Sequence, residues 1–381
     1  MTYNAGWMND ELRLMAESVR SFLENEYVPH DAKYEAQHFV DREFWKKAAE
    51  MGMLGATIPG EYGGIGGNFA FDAVISDELA AQGISGFGIQ VHNIASHYIL
   101  AYGSEEQKKK WLPRLCSGEC IGAIAMTEPG AGSDLQGVTT KAVKDGDFYT
   151  ITGSKTFISN GLLANLIVLV VKTDESKGAK GISLVVVETE DLAGFTRGKP
   201  LEKIGQHAQD TTELFFDGAR VPCVNLLGKE EGKGFYQLMD QLKYERLLIA
   251  VLSVGFMDRA LKMTFEYTQD RKAFGRTIFD FQNTRFKLAE LFTEARIGRT
   301  FVADCIEKMI AGKLDTATAS MAKMWLTEKL CKTVDECLQF FGGYGYTREY
   351  PISRLFVDSR VMKIYGGTSE IMKELIARSL Q

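Results

Sequence analysis

The sequence predicts an α+β fold in which an N-terminal helical domain and a C-terminal bundle of long helices flank a middle antiparallel β domain. Apolar residues recur at helical spacing from the N-terminus to about Gly118. Short β-rich runs then alternate with turn residues to about Gly228, and helical spacing returns after Gly234. We therefore predict three domains: a helical domain at 1–119, a barrel-like β domain at 120–231 and a helical bundle at 232–381.

In the first domain, apolar side chains lie three or four positions apart, as on one face of a helix. Leu12, Met15 and Val19 follow this spacing. Ser104, followed three residues later by Gln107, is typical of a capping box, in which each side chain bonds the other residue's backbone N–H. Both patterns indicate helices.

The middle domain is predicted from short runs rich in β-branched and aromatic residues. Between two of them, Asp145-Gly146 is typical of a hairpin turn, because Gly adopts positive φ without steric cost. The predicted strands are residues 121–126, 139–143, 148–152, 166–171, 182–187 and 212–216.

Four long stretches with helical periodicity follow, and their lengths suit a bundle. They are residues 238–269, 281–312, 316–341 and 368–380.

Charge and composition exclude several classes of function. The 381-residue chain carries a net charge of −6, which argues against a general nucleic-acid surface and against a polybasic membrane patch. The longest apolar stretch, residues 247–257, is about half of what a bilayer span requires, so we expect no membrane span. The first twelve residues contain no Lys or Arg, unlike a secretory or transit peptide, and we expect a cytoplasmic protein or a processed organelle protein.

Cysteines and histidines are scattered. The six cysteines form no C-x-x-C pair, and the five histidines form no metal-ligand cluster. We predict reduced thiols and no metal site.

One carboxylate stands on an apolar helical face. Leu238, Leu242, Glu245, Ile249 and Leu252 step by four, three, four and three residues and so share one side of a helix. A buried carboxylate must either be paired with a cation or have a raised pKa, which is how a general base near neutral pH is made. Periodicity leaves both interpretations open: a structural ion pair with an Arg from elsewhere, or a catalytic base.

A polar loop follows the first predicted strand at residues 126–134. It leaves the strand through a Pro-Gly turn whose backbone N–H groups could contact an anion or a heterocycle edge, and Thr127 and Ser133 add hydroxyls. An ordinary loop of a β domain would also account for it.

Two further segments are rich in glycine. In segment 364–370, Gly366 and Gly367 precede the last helix and would allow backbone amides to approach a ligand, although a flexible joint is the alternative. Segment 59–67 is not a dinucleotide-binding motif, because no strand leads into it and Phe69 stands at the third glycine position.

Five segments together resemble the signature stretches of the acyl-CoA dehydrogenase family, and the likeness covers essentially the whole chain. The resemblance implies an N-terminal helical domain, a middle β domain and a C-terminal four-helix domain. It also implies FAD as cofactor, an acyl-CoA substrate, assembly as a dimer or a homotetramer built from two dimers, and electron transfer to an electron-transfer flavoprotein. The segments are residues 125–134, 157–161, 271–275, 339–345 and 364–368.

By motif position, the resemblance also implies a set of FAD-binding residues. Ser133 would lie near the pyrophosphate and the CoA moiety, and Thr368 would complete the site. The flavin ring would be lined by Met126, Thr127, Phe157 and Ser159. The FAD of a neighbouring subunit would be held by Arg271, Phe274, Gln282, Gln339 and Gly343.

The same resemblance implies that the catalytic base is displaced. Many members carry a Glu directly after the Tyr of the last motif, where this chain has Gly366. The long-chain and isovaleryl members instead carry a Glu directly before an Arg on the first long C-terminal helix, as Glu245-Arg246 does here. The implied substrate site consists of Ser133, Leu242, Arg246, Tyr365 and Gly366.

The expected reaction is α,β-dehydrogenation of a saturated acyl-CoA. Glu245 would remove the α-proton, the N–H of Gly366 would stabilise the thioester oxygen, and FAD would accept a hydride from the β-carbon. Likeness to the long-chain members favours medium to long, or branched, acyl chains, and likeness to the isovaleryl members keeps short branched chains open. An acyl-CoA oxidase, a DNA-associated flavoprotein and a non-catalytic flavin-binding protein are less favoured alternatives.

Overall fold

The computed structural model describes residues 6–381, and its helix–sheet–helix order confirms the predicted fold class. Asn9 caps the first helix by accepting the N–H of Leu12, and Ser104 and Gln107 form the predicted capping box. The N-terminal helices are α1 (Asp10–Phe22), α2 (Asp31–Gln37), α3 (Arg42–Glu50), α4 (Phe69–Gln82), α5 (Ile89–Tyr102) and α6 (Glu105–Cys116).

The middle part forms one seven-stranded sheet in the order β1-β4-β2-β3-β7-β6, with β5 paired to β4. The predicted hairpin is present: Asp145 pairs with Phe148, and Gly146 has φ +59°. The strands are β1 (Gly122–Ala125), β2 (Lys141–Asp145), β3 (Phe148–Ser159), β4 (Leu166–Lys172), β5 (Ile182–Glu188), β6 (Phe195–Arg197) and β7 (Thr211–Pro222).

Strand pairing differs in detail from the antiparallel expectation. β1 runs parallel to β4, whereas β4 with β5, β2 with β3, and β3 with β7 are antiparallel. A parallel pair requires a long connection, and the β2–β3 hairpin lies within the chain that joins β1 to β4.

The C-terminal part contains the long helices, together with a short hairpin that periodicity did not predict. This hairpin joins β8 (Lys272–Ala273) and β9 (Arg276–Thr277) between the first two helices. The helices are α7 (Gly234–Asp270), α8 (Gln282–Ile310), α9 (Thr316–Phe341), α10 (Pro351–Arg360) and α11 (Ser369–Arg378).

Helix α7 is the centre of the molecule. It packs against α8 and α9 of its own bundle, against α4 and α5 of the N-terminal helices, and against β5 of the sheet. One hydrophobic cluster accordingly includes side chains from all three parts, such as Tyr98, Val186 and Leu247. Side chains on α7 are therefore positioned by the whole fold.

Two findings concern what residues 6–381 do not contain. None of their helices is both long and apolar enough to cross a membrane. Across the same residues, no group of three or more His, Cys, Asp or Glu side chains is arranged to hold a metal ion.

Candidate active site

Glu245 lies on α7 within a stretch that is buried on every side. Leu242 and Ile249, the neighbours on its predicted face, are both buried, as expected. All residues from 244 to 257 are also buried, so the apolar surroundings extend around the whole helix. A helix buried all round lies in the core of a large protein, and Glu245 is a carboxylate inside that core.

Burial and one hydrogen bond set the properties of this carboxylate. The hydroxyl of Tyr98 on α5 donates to Oε1 of Glu245 at 2.9 Å. Burial raises the pKa of Glu245 to about 7, and the Tyr98 hydrogen bond and the charge of Arg246 oppose that rise. Among the described residues, no Lys or Arg nitrogen lies within 4.0 Å of the Glu245 carboxylate, so the ion-pair interpretation is not supported.

Arg246 is buried beside Glu245 but points elsewhere. Its Nη1 donates to Oγ of Ser320 on α9 at 3.4 Å, and its Nε has no hydrogen-bond partner. Burial lowers the pKa of the guanidinium. Arg246 therefore places a buried positive charge next to Glu245 without forming a hydrogen bond to its carboxylate.

The Gly366–Gly367 turn lies against α7, about one helical turn beyond Glu245. Gly366 has φ +65°, a conformation that strains residues with a side chain. A Cβ built at Gly366 would overlap Cδ1 of Ile249. Buried Lys323 of α9 donates to the carbonyl oxygen of Gly367 at 2.6 Å. The turn is thus held from α9 and has no room for a side chain towards α7.

Replacing Gly366 with Ala should therefore disturb the turn. The left-handed conformation costs a residue with a Cβ about 1–2 kcal/mol, and Ile249 would have to move. We expect the free energy of unfolding to fall by about that amount. We also expect the reaction that the family resemblance implies, flavin reduction by acyl-CoA, to slow by roughly 10- to 100-fold because the turn is displaced. Denaturant unfolding and stopped-flow absorbance would measure the two effects.

Gly60→Ala is the matched control, because a Cβ at Gly60 meets nothing within 4 Å and its φ lies outside the left-handed region. If Gly366→Ala matched the control in both measurements, the turn would not require glycine.

Thr368 and Tyr365 flank this turn. Oγ1 of Thr368 accepts the N–H of Ile371 at 3.3 Å and thereby caps α11. Tyr365 is partly buried, and burial raises the pKa of its hydroxyl. The structure therefore brings Leu242, Glu245, Arg246, Tyr365, Gly366 and Thr368 into one region around α7 and the start of α11.

A second group lies where the 126–134 loop meets β3. The N–H of Thr156 donates to the carbonyl oxygen of Thr127 at 2.9 Å. Between Lys155 and Ile158 the pairing with β7 shifts by one residue, which is a β-bulge. Within the bulge Phe157 has φ +57° and is 68% exposed. The bulge thus presents an aromatic ring beside the Met126-Thr127 backbone, and Ser159 follows at the end of the strand.

A buried ion pair that sequence reasoning missed fixes this loop. Lys155 on β3 contacts Glu128 at 2.8 Å and also donates to the carbonyl oxygen of Met126 at 3.1 Å. Glu128 in turn accepts the N–H groups of Thr139 and Thr140 at 2.6 and 3.0 Å. Burial opposes the charge on Glu128, but Lys155 and these donors outweigh it and lower the pKa of Glu128. The available signal was a Lys between the predicted strand at 148–152 and the apolar residues Phe157 and Ile158.

The loop leaves space for a ligand on its outer side. Cβ atoms built at Gly130 and Gly132 meet nothing within 4 Å, and Ser133 is exposed next to them. An exposed aromatic ring, accessible hydroxyls and open backbone are features that fit a flat heterocycle with a polar tail.

The third group lies at one end of the C-terminal helices. Arg271, directly after α7, lies with its guanidinium 5.7 Å from the ring centroid of Tyr344, which follows α9. Between β8 and β9, Phe274 has φ +50° and is 95% exposed. Gln282 begins α8, Gln339 lies in the last turn of α9, and Gly343 follows that helix, so the predicted residues for a neighbour's FAD share this end.

Comparison with known proteins covers nearly the full chain. The N-terminal, middle and C-terminal domain models of acyl-CoA dehydrogenase match residues 9–119, 123–219 and 232–381. The chain is 48% identical to pig (Sus scrofa) mitochondrial long-chain specific acyl-CoA dehydrogenase, over 98% of this chain and 87% of that protein. It is 36% identical to mitochondrial isovaleryl-CoA dehydrogenase of rice (Oryza sativa subsp. japonica), over 98% of this chain and 91% of that protein.

A solved structure of acyl-CoA dehydrogenase from Geobacillus kaustophilus superposes with a TM-score of 0.97 at 48% identity, covering 99% of this chain and all of that one. Matches of this extent and identity show both the fold and the class of enzyme. The chain belongs to the acyl-CoA dehydrogenase family of flavoprotein oxidoreductases.

Proposed function

We propose that this acyl-CoA dehydrogenase uses Glu245 as its catalytic base and acts on medium- to long-chain or branched saturated acyl-CoA thioesters. The observation that carries the proposal is the buried Glu245 carboxylate, with a pKa raised to about 7, beside the Gly366 turn. A general base works best when its pKa lies near the working pH.

In this mechanism α7 supplies the base, and the turn before α11 supplies the hydrogen-bond donor to the thioester. The carboxylate of Glu245 takes the α-proton, and the backbone N–H of Gly366 donates to the thioester oxygen, on which negative charge develops. Because position 366 lacks a side chain, no carboxylate there competes with Glu245. FAD, when bound, supplies the acceptor for the hydride from the β-carbon.

The residues that would hold FAD come from two surfaces. Met126, Thr127, Phe157 and Ser159 would contact the flavin ring, and Ser133 its polar tail. Arg271 and Phe274 would serve the FAD of a neighbouring subunit, because Phe274 is almost fully exposed on a single chain. This exposure supports a contact between Phe274 and a neighbouring subunit. The family resemblance is the basis for proposing a homotetramer of two dimers and transfer of electrons to an electron-transfer flavoprotein. The cytoplasmic location also stays a prediction, because the pig relative is named mitochondrial.

A panel of saturated acyl-CoAs, added anaerobically to the FAD-bound enzyme, would test the substrate class. We expect flavin absorbance to bleach fastest with medium- to long-chain or methyl-branched thioesters. Preference for isovaleryl-CoA would favour the short branched alternative, to which the rice relative points. Hydrogen peroxide formation in air at the rate of turnover would indicate an oxidase, and no bleaching with any thioester would contradict the proposal.

A further inference from the structure

The base is contacted by a tyrosine from the N-terminal helices. Tyr98 on α5 is fully buried and Glu245 on α7 is 7% exposed, and 2.9 Å separates the hydroxyl from Oε1. A phenol hydroxyl can donate a hydrogen bond to a carboxyl group whether that group is protonated or ionised, but the hydrogen bond to the ionised form is stronger.

Other charged or titratable groups near Glu245 face different partners. Arg246, on the same helix, contacts Ser320 of α9. Tyr244 donates to Asp72 of α4 at 2.6 Å, and Lys323 of α9 donates to Gly367. Among the described residues, Tyr98 therefore makes the one side-chain hydrogen bond to the Glu245 carboxylate.

We propose that Tyr98 is a positioning residue that orients the Glu245 carboxylate and sets the pH range in which it acts as base. The inference rests on the proposed function, because it assumes that Glu245 is the base. Burial raises the pKa of Tyr98 well above its usual value, so the hydroxyl keeps its proton over the working pH range. Its hydrogen bond favours the ionised form of Glu245 and opposes the effect of burial.

Tyr102 provides a matched control, since it lies one turn later on the same helix. Its hydroxyl donates to Oδ2 of Asp240 at 2.9 Å, so it also bridges α5 to a carboxylate of α7, but not to the base. Tyr102→Phe therefore removes a tyrosine hydroxyl from the same helix that bonds a carboxylate of α7 other than Glu245.

The test compares the pH dependence of kcat/KM for the FAD-bound wild-type enzyme, Tyr98→Phe and Tyr102→Phe. In the wild type, activity should fall below about pH 7 as Glu245 becomes protonated. Losing a hydrogen bond to the charged form raises the pKa of the base, so the acidic limb of Tyr98→Phe should move up by about 1–2 pH units. Activity would then drop roughly tenfold or more at low pH and recover at high pH, while Tyr102→Phe keeps the wild-type limb.

An infrared titration of the Glu245 carboxyl band without substrate, assigned by its absence in Glu245→Gln, gives a second readout. It should show the same upward shift in Tyr98→Phe even if turnover is impaired. The inference would be overturned if neither the acidic limb of the kcat/KM profile nor the carboxyl band of Glu245 shifts in Tyr98→Phe. This holds even if kcat/KM of that variant falls by the same factor at every pH. Glu245→Gln, measured in parallel, separates the two failures: if it still turns over, the assigned base is wrong.

Discussion

Replacing Glu245 with Gln should slow flavin reduction by acyl-CoA by about 10²- to 10⁴-fold, the range typical for removal of a general base. Gln has nearly the same volume and can still accept the hydrogen bond from Tyr98, so the fold should be retained. FAD content and acyl-CoA binding should stay near wild type. Anaerobic stopped-flow absorbance would measure the rate of reduction, and equilibrium titration would measure binding.

Asp240→Asn is the matched control for this substitution. Asp240 is a carboxylate on the same helix but is largely exposed, with 60% side-chain accessibility. Its replacement should leave flavin reduction close to wild type. Near-normal reduction in Glu245→Gln would show that another group removes the α-proton.

Replacing Lys155 with Met should lower the free energy of unfolding by about 3–5 kcal/mol, because removal of one partner leaves the other charge buried without compensation. The Glu128 carboxylate would remain inside the fold, with a side-chain exposure of 3%. Since Lys155 also holds the carbonyl oxygen of Met126, the 126–134 loop should loosen and FAD should be retained less well. Denaturant unfolding and the flavin-to-protein absorbance ratio would report the two effects.

Lys141→Met serves as the control for Lys155→Met. Lys141 lies on the neighbouring strand β2 and pairs with Glu175 at 2.7 Å, but both side chains are about half exposed or more. Surface ion pairs contribute about 0–1 kcal/mol, so this variant should unfold almost as the wild type does. Similar losses in the two variants would mean that the buried pair does not hold the loop.

Most elements of the fold could be predicted because their periodicity is local. Helix α9 has its predicted bounds, and the hairpin at Gly146 was recognised from two residues. Elements with little internal pattern were missed, namely β6, the β8–β9 hairpin and α10. Short elements carry few residues from which a period can be read, and their neighbours in space decide their conformation.

For the candidate site, motif positions indicated which residues to examine but not what those residues contact. The bulge that exposes Phe157 arises from pairing between β3 and β7, and nothing in the local sequence predicts a shift of register there. The partners Glu128 and Lys155 are 27 positions apart and meet only when the loop folds onto the sheet.

For Glu245, too, some properties follow from the sequence and others only from the tertiary structure. The sequence alone determined that this carboxylate stands at an apolar position of a long helix, since helical periodicity is a local property. It left open whether the partner would be an arginine or whether the pKa would rise. Only the tertiary structure decided this, because Tyr98, 147 residues away, reaches Glu245 through the packing of α5 against α7, while Arg246 turns towards α9.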